Sequence, residues 1–422
     1  SFQPNVLCVL LEFFDVLCSY VYNLRESDYS LFHVKHFFEE RLVMKSCFKA
    51  FIVSLLFGLT SCQTTITQNQ ADQQDSLSLQ AEPLQEQTSL STHKRKIGVL
   101  LPLSGTHATL GRLLRQATEL SFFEHPIEEA ELIYKDTEGT SQGALKAAQE
   151  CINENVEAII GPVFSTEVKA ITPILKTRQV PLLSFSNDIK AAEQGVFMLG
   201  FSPQAQVREI LEYAAQQNLT RIVALVPRTA YGDSIRHELK KETAAQHLTL
   251  VGLVAYEGQG ENLKTELAHL KHISYNALFI PVGGKDLTNL FNNLEYYDFD
   301  YSHHQLLGTT LWESKEAPAQ LLGSWYAAPT PETYREFETR FEKIYGTAPQ
   351  RMVSLGYDAM VALSRAIKDT SGKRLSFRNF MKTDGFYGAN GFFRLKEDGT
   401  VERTFFIFKW TEQGPQPLST IL

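Results

Sequence analysis

Residues 96–102, Lys-Ile-Gly-Val-Leu-Leu-Pro, decide the fold of this chain because they predict a buried β-strand. A short, continuous apolar run of this kind is typical of a strand that is covered on both faces of a sheet. The next segment, residues 110–123, has the spacing of an amphipathic helix. A buried strand followed by an amphipathic helix is the repeating unit of parallel α/β sheets.

The same alternation continues along the chain and restarts at residue 221. Further strands are predicted at 130–135, 156–161, 180–184, 221–226, 248–256 and 277–281, and helices at 141–153, 165–178, 234–246 and 261–272. Two such series predict an α/β protein of two doubly wound, Rossmann-like lobes, which also suits the length of the chain beyond residue 94. Because ligands of doubly wound sheets bind beyond the carboxyl ends of the strands, a cleft between the lobes is expected.

The N-terminal part of the chain carries the pattern of a secretory signal that ends in a cysteine. Two lysines, Lys45 and Lys49, precede the apolar run 50–58, and small residues then lead to Cys62. This pattern is typical of a signal peptide, and it resembles a bacterial lipobox, in which the cysteine becomes the lipid-bearing N-terminus. We therefore expect a lipoprotein signal peptide at 44–61, a lipid on Cys62 and a folded part in the periplasm. The alternative is a short hydrophobic helix that happens to end in Cys.

The residues on either side of this signal are not expected to contribute to the fold. Met44 is the first methionine, so we expect the natural start there and interpret residues 1–43 as upstream translation. Two acidic residues within the apolar stretch 6–24 argue against a membrane span. Residues 62–93 are rich in Gln, Ser and Thr and lack aromatic side chains, so they predict a disordered tether behind the lipidated cysteine.

Charge, cysteine content and motifs argue against several classes of function. The formal net charge of −8 argues against nucleic acid as the main partner. Cys151 lies inside a predicted helix, and we expect it to be a buried packing residue. The sequence contains no nucleophile elbow, Walker loop, H-E-x-x-H or C-x-x-C motif. We therefore predict a protein that is not an enzyme and that needs no cofactor and no metal.

Several short motifs, in this order and spacing, resemble the leucine-binding branch of the type I periplasmic binding proteins. They are residues 97–105 with Gly111, Asp136, 158–162, 180–184 and Tyr231-Gly232. Four later segments resemble a lipoprotein subgroup, the penicillin-binding protein activators, at 306–312, 324–329, 354–359 and 385–391. The resemblance covers nearly all of residues 94–418 and implies the type I periplasmic-binding fold, whose two lobes hold a small ligand between them.

The family fold also implies that the chain crosses between the lobes three times. The crossovers are expected near residues 200–204, 328–331 and 385–391, which are all rich in turn-forming residues. Lobe I would then comprise 94–203 and 330–386, and lobe II 204–329 and 387–418.

The resemblance further implies a set of ligand-binding side chains at strand ends and helix starts. They are Ser104, Ser165, Thr166, Ser184, Ser186, Tyr231, Thr310 and Trp312. Ser165 is expected to cap a helix whose N-terminus favours an anionic group such as a carboxylate, and Tyr231 is expected to stack on the ligand. The alternatives are capping and turn formation for the serines, surface packing for Tyr231, and a core position for Trp312.

Two departures from the amino-acid binders bear on the identity of the ligand. Leu110 stands where those binders often place an aromatic residue, and Thr309 and Thr310 stand where they often place a carboxylate for the ammonium group. An unpaired ammonium in a closed cleft would be costly. Either Asp188 or Glu313 therefore substitutes, or the cleft holds a peptide, a sugar or a peptidoglycan fragment, or it stays empty.

Two functions follow from the resemblance. In the first, a lipid-anchored binding module regulates a cell-wall synthase, a penicillin-binding protein. In the second, the cleft captures an amino acid for an ABC importer. Gln63, the residue after the lipidated cysteine, favours the outer membrane by analogy with Gram-negative relatives. This location favours the first function, because a tether of this length would not readily deliver a solute to a permease in the inner membrane.

Overall fold

The first lobe is built on a parallel sheet of five strands. In the computed structural model, which describes residues 94–258, 263–313, 317–370 and 372–418, these strands are β1 (Arg95–Leu101), β2 (Ala130–Asp136), β3 (Ala158–Ile160), β4 (Leu182–Ser184) and β5 (Val196–Met198). Their spatial order is β2-β1-β3-β4-β5. This order places a topological switch point between β1 and β3, where doubly wound sheets bind ligands. The leader and tether predicted for residues 1–93 lie outside the described residues.

Three helices cover this sheet before the chain leaves the lobe: α1 (Ala108–Glu124), α2 (Ser141–Asn153) and α3 (Ser165–Arg178). The side chains of β1 alternate between the two faces, as strand geometry requires. Val99 joins one buried cluster, whereas Leu100 joins another with Ala148 of α2 and Ile171 of α3. Cys151 is buried on α2, and burial raises its pKa to about 12, so the thiol stays protonated. This agrees with the predicted packing role.

The second lobe has a seven-stranded mixed sheet. Its parallel strands are β6 (Arg221–Pro227), β7 (Thr249–Tyr256), β8 (Ala277–Phe279), β9 (Gln305–Thr309) and β10 (Trp325–Ala328), and β14 (Phe406–Thr411) and β15 (Gly414–Pro417) add an antiparallel edge beside β10. Helices α4 (Pro203–Gln216) and α5 (Ala230–Ala245) cover one face, and α6 (Leu263–Leu270) and α7 (Gly284–Tyr296) the other. The predicted α/β fold of two Rossmann-like lobes is confirmed. None of the described helices is both long and apolar enough to cross a membrane.

After β10 the chain returns to the first lobe and stays there longer than the sequence predicted. It adds α8 (Pro331–Tyr345), α9 (Ser354–Lys368) and a small antiparallel sheet of β11 (Phe386–Gly388), β12 (Gly391–Leu395) and β13 (Val401–Arg403). Phe386, Phe393 and Leu395 pack into the core of lobe I with β1 and α9. Residues 387–403 therefore lie in lobe I, not in lobe II, and the third crossover follows Arg403. The alternating pattern of β12 predicts a half-buried strand but not which lobe covers it.

Candidate ligand-binding cleft

The carboxyl ends of the strands of both lobes border a cleft with a volume of 740 Å³. Lobe I contributes the loops after β3, β4 and β5, which carry Val163, Phe164, Phe185, Ser186 and Phe201. Lobe II contributes the carboxyl ends of β6, β7, β8 and β9 and the first turns of the helices that follow β6 and β8. These carry Arg228, Tyr231, Tyr256, Val282, Asp286 and Leu311. A largely apolar cavity of this size with a few polar groups is typical of a small-molecule site.

The two predicted serines after β4 have different roles. Ser184 is fully buried, and its hydroxyl donates to the Pro162 carbonyl at 2.9 Å and accepts from the Ser186 N–H at 3.1 Å. Ser184 therefore fixes the turn and does not line the cleft. Ser186 does line it, and its hydroxyl oxygen accepts from the Asp188 N–H at 3.2 Å. The hydroxyl proton of Ser186 has no acceptor among the described residues and is available to a ligand.

The predicted cap at the start of α3 is wrong. Phe164, not Ser165, is the N-cap residue, and its N–H donates to the Glu167 carboxylate at 2.9 Å. Glu167 is fully buried, and burial raises its pKa. Burial alone would raise the pKa of Asp188, but Lys169 and the Lys190 N–H lower it, and the Ser165 side chain also contributes to this lowering. A bulky residue at the cap position removed the usual sequence signal for where the helix begins.

Two other predicted contacts of lobe I also lie outside the cleft lining. Thr166 is exposed on α3, where its carbonyl accepts from the Ser141 hydroxyl at 3.2 Å. Ser104 is exposed after β1, and its N–H donates to the Asp136 carboxylate at 3.2 Å. Burial alone would raise the pKa of Asp136, but this bond and those from the Leu103 and Glu138 N–H groups lower it. Ser104 therefore helps to hold a loop.

In lobe II, Tyr231 and Thr310 line the cleft as predicted from the resemblance. The Tyr231 hydroxyl lies 3.5 Å from the Thr309 hydroxyl, and burial raises the pKa of Tyr231 to about 12. Thr310 donates its N–H to Gln206 at 2.8 Å and its hydroxyl to the Ala327 carbonyl at 3.0 Å. Both donors of Thr310 are thus engaged, and its side chain can only accept a hydrogen bond from a ligand.

Trp312 lies in the core of lobe II and not in the cleft. Its side chain is fully buried in a cluster with Tyr326, with ring centroids 6.4 Å apart. The ring lies against Gly308, where an added Cβ would come within 2.2 Å of it. The prediction of a ligand contact for Trp312 is therefore wrong. The sequence left both orientations open because the residue ends an apolar strand.

Both acids that the sequence proposed as partners of an ammonium group already have cationic partners. Glu313 of lobe II accepts from Arg351 of lobe I through two nitrogens, Nε and Nη2, and from the Tyr326 hydroxyl at 3.1 Å. Arg351 also donates to Asn390 at 3.1 Å. Asp188 pairs with Lys169 at 3.1 Å. The Glu313–Arg351 pair joins the two lobes at the wall of the cleft.

Sequence reasoning missed several polar side chains of the cleft. They include Gln206, Arg228, Tyr256, Asp286 and Asn289. Two of them could have been found, because Tyr256 ends the predicted strand 248–256 and Asp286 follows the predicted strand 277–281 through Gly283-Gly284. The carboxyl ends of parallel strands meet at one edge of a sheet, so both positions point to the cleft.

Comparisons with known proteins agree with this architecture. A sequence profile described as "Periplasmic binding protein" matches residues 94–415. The chain is 20% identical over 229 residues to the uncharacterised protein RP748 of Rickettsia prowazekii, covering 50% of this chain and 60% of that protein. It is 26% identical over 152 residues to Leu/Ile/Val-binding protein homolog 6 of Brucella abortus, covering 34% of this chain and 38% of that protein. The chain thus matches less than two thirds of the length of either relative.

Two solved structures show the same fold. The leucine-binding protein LivK of Thermotoga maritima superposes with a TM-score of 0.61 at 21% identity, covering 77% of this chain and 98% of that chain. An ABC transporter solute-binding protein of Rhodopseudomonas palustris, in complex with benzoate, superposes with a TM-score of 0.62 at 18% identity. The superposition covers 77% of this chain and 95% of that chain. At these identities the likeness establishes the architecture.

Proposed function

Because the chain belongs to the periplasmic binding protein family, we propose that it is a non-catalytic solute-binding protein that captures a small organic molecule between its lobes. The observation that carries this proposal is the 740 Å³ cleft at the facing strand ends, which is lined by apolar side chains and by polar groups of both lobes. The names of the Brucella and Thermotoga relatives refer to leucine binding, and that of the Rhodopseudomonas protein to an ABC transporter. The corresponding partner is an ABC importer in the inner membrane, which would receive the solute on its periplasmic side.

A cleft-filling substitution tests this function. We expect the protein to gain about 2.7 kcal/mol of stability from its solute at a hundredfold excess over the dissociation constant. Ser186→Trp should abolish that gain, because Ser186 lines the cleft and is 5% exposed. Thermal unfolding with a library of small solutes, combined with mass spectrometry of extracted ligands, measures the effect. Gln149→Trp, on an exposed face of α2, is the matched control and should keep the full gain.

The same experiment can also contradict the solute-binding function. If no solute co-purifies with the protein and none raises its melting temperature in either the native protein or the Gln149→Trp control, the proposed solute-binding function is wrong.

A second candidate function is regulation of a cell-wall synthase by a lipid-anchored chain. Two of the segments that resemble the penicillin-binding protein activators, 354–359 and 385–391, are joined in lobe I. Asn390 donates to Ser354 at 2.6 Å and to Asp358 at 3.0 Å. Tyr387, in the second of these segments, lies on the surface and is 67% exposed. We propose that this surface meets the synthase, and that Cys62 anchors the chain to the outer membrane.

Cell fractionation with Cys62→Ser tests the anchor and the partner together. We expect the substitution to release the protein from membranes, because a lipid chain contributes about 0.8 kcal/mol per buried methylene group. A penicillin-binding protein should co-purify with the native chain and with Ser186→Trp, but not with Tyr387→Ala. Unchanged membrane partitioning of Cys62→Ser would contradict the anchor, and equal recovery of the synthase with Tyr387→Ala would contradict the surface.

A further inference from the structure

A second cavity, with a volume of 640 Å³, lies where the chain passes between the lobes and shares no lining residue with the cleft. Lobe II contributes one face of α4 and the start of β14, and lobe I contributes residues of β11 and β12. Thr330, on the second crossover, and Thr404, on the third, complete the wall. A molecule held in this cavity would therefore contact both lobes.

The cavity is acidic, and no lysine or arginine is among the residues that line it. Glu209 and Glu212 of α4 and Glu332 of α8 contribute carboxylates. Glu209 pairs with Arg208 of the same helix at 3.4 Å, whereas neither Glu212 nor Glu332 has a cationic partner among the described residues. Burial raises the pKa of Glu209, Arg208 opposes this rise, and the charge of Glu212 adds to it. Negative charge that is not compensated in this way attracts a cation.

A buried hydroxyl in the same wall gives evidence that is independent of charge. Thr330 lines the cavity and is 9% exposed, and its hydroxyl has no hydrogen-bond partner within the part of the chain that the structure describes. Its methyl group packs near Gly391, where an added Cβ would come within 2.5 Å of it. Its carbonyl accepts from Arg351 at 3.4 Å. Buried polar groups are nearly always hydrogen-bonded, so the Thr330 hydroxyl is available to a ligand.

Aromatic rings supply the apolar part of the lining. They belong to Tyr213, Tyr387, Phe392, Phe405 and Phe406. The face of an aromatic ring attracts a cation, and its area covers the apolar part of an organic molecule. The described residues contain no cluster of three or more acidic, histidine or cysteine side chains that could hold a metal ion. Acids, aromatic rings and the volume of the cavity together suit an organic cation.

We propose that this cavity binds a small organic cation, with ammonium groups at Glu212 and Glu332 and the apolar part against the aromatic rings. An ammonium group has up to three donors and no acceptor, so the two carboxylates and the Thr330 hydroxyl are suitable partners. The site is separate from the cleft, and its occupation does not depend on the proposed solute-binding function. A cation bound here bridges the two lobes beside their connections.

Calorimetry with spermidine and choline, an extended and a compact organic cation, tests this site. We expect at least one of them to bind the native protein, and 1,8-octanediol, an uncharged chain of similar length to spermidine, not to bind. The double variant Glu212→Gln with Glu332→Gln should weaken binding of the cation by about tenfold or more, because two charged acceptors are lost. Tyr387→Leu should weaken it by about two- to fivefold, because an aromatic face is lost.

The matched control is Glu336→Gln, which removes an acid one turn further along α8 and outside the cavity lining. It should leave the affinity unchanged. Ser186→Trp, which fills the cleft, should also leave it unchanged. Glu332 lies in the first turn of α8, where an acid stabilises the helix through its dipole. That role alone predicts a lower melting temperature for the double variant and no loss of affinity.

Four outcomes overturn this inference. Neither cation binds the native protein, or the double variant binds the cation as tightly as the native protein does. Glu336→Gln weakens binding as much as the double variant, which would show non-specific attraction to an acidic protein. Ser186→Trp abolishes binding, which would place the cation in the cleft.

Discussion

Arg351→Met is expected to lower the free energy of unfolding by about 3–5 kcal/mol, the usual effect of removing one partner of a buried ion pair. Arg351 is 4% exposed, and its guanidinium lies 4.2 Å from the centre of the Tyr334 ring. Without it, the Glu313 carboxylate would keep only the Tyr326 hydroxyl as a hydrogen-bond partner among the described residues. Urea unfolding measures the loss, and small-angle scattering measures the change in lobe orientation, because the pair joins the two lobes.

Two further variants make this expectation specific. Arg365→Met removes a surface ion pair with Asp384 and should cost less than about 1 kcal/mol. The double variant Glu313→Gln with Arg351→Met removes both charges of this pair and should recover most of the stability lost in the single variant. A loss for Arg351→Met no larger than that for Arg365→Met would show that the pair does not hold the lobes together.

Trp312→Ala is expected to lower the free energy of unfolding by about 3–5 kcal/mol, because it leaves a large cavity in the core of lobe II. The indole is fully buried and packs against Gly308 and Tyr326. Ligand affinity should change little at a temperature where the variant stays folded, since Trp312 does not line the cleft. Chemical unfolding and calorimetry separate the two effects.

The neighbouring residue supplies the comparison for this variant. Leu311 lines the cleft and is 48% exposed, so Leu311→Ala should change ligand affinity more than stability. A large loss of affinity with little loss of stability for Trp312→Ala would show that the indole contacts the ligand.

Much of the fold was accessible from local patterns in the sequence. The helices predicted at 141–153 and 165–178 are confirmed with those bounds, and the strand predicted at 96–102 differs from β1 by one residue at each end. Helical spacing and short apolar runs indicate which faces of a helix or strand are covered by other parts of the protein. Two alternating series of such elements therefore predicted the two lobes and the cleft at their strand ends.

The assignment of elements to lobes needed the tertiary structure. An apolar face shows that a segment is covered but not by what, so the small sheet β11–β13 could not be assigned to lobe I from its own residues. The same limit applies to Trp312, whose position at a strand end was compatible with cleft and core.

The sequence by itself determined the two-lobed α/β architecture and the region of the cleft, because both follow from local periodicity and strand direction. Only the tertiary structure decided which polar groups of the cleft are free. Glu313 and Arg351 lie 38 residues apart in the chain and belong to different lobes, yet they neutralise each other. Asp188 is likewise paired with Lys169, which lies in a different element. A charge is free or paired according to its neighbours in space, which local sequence patterns do not record.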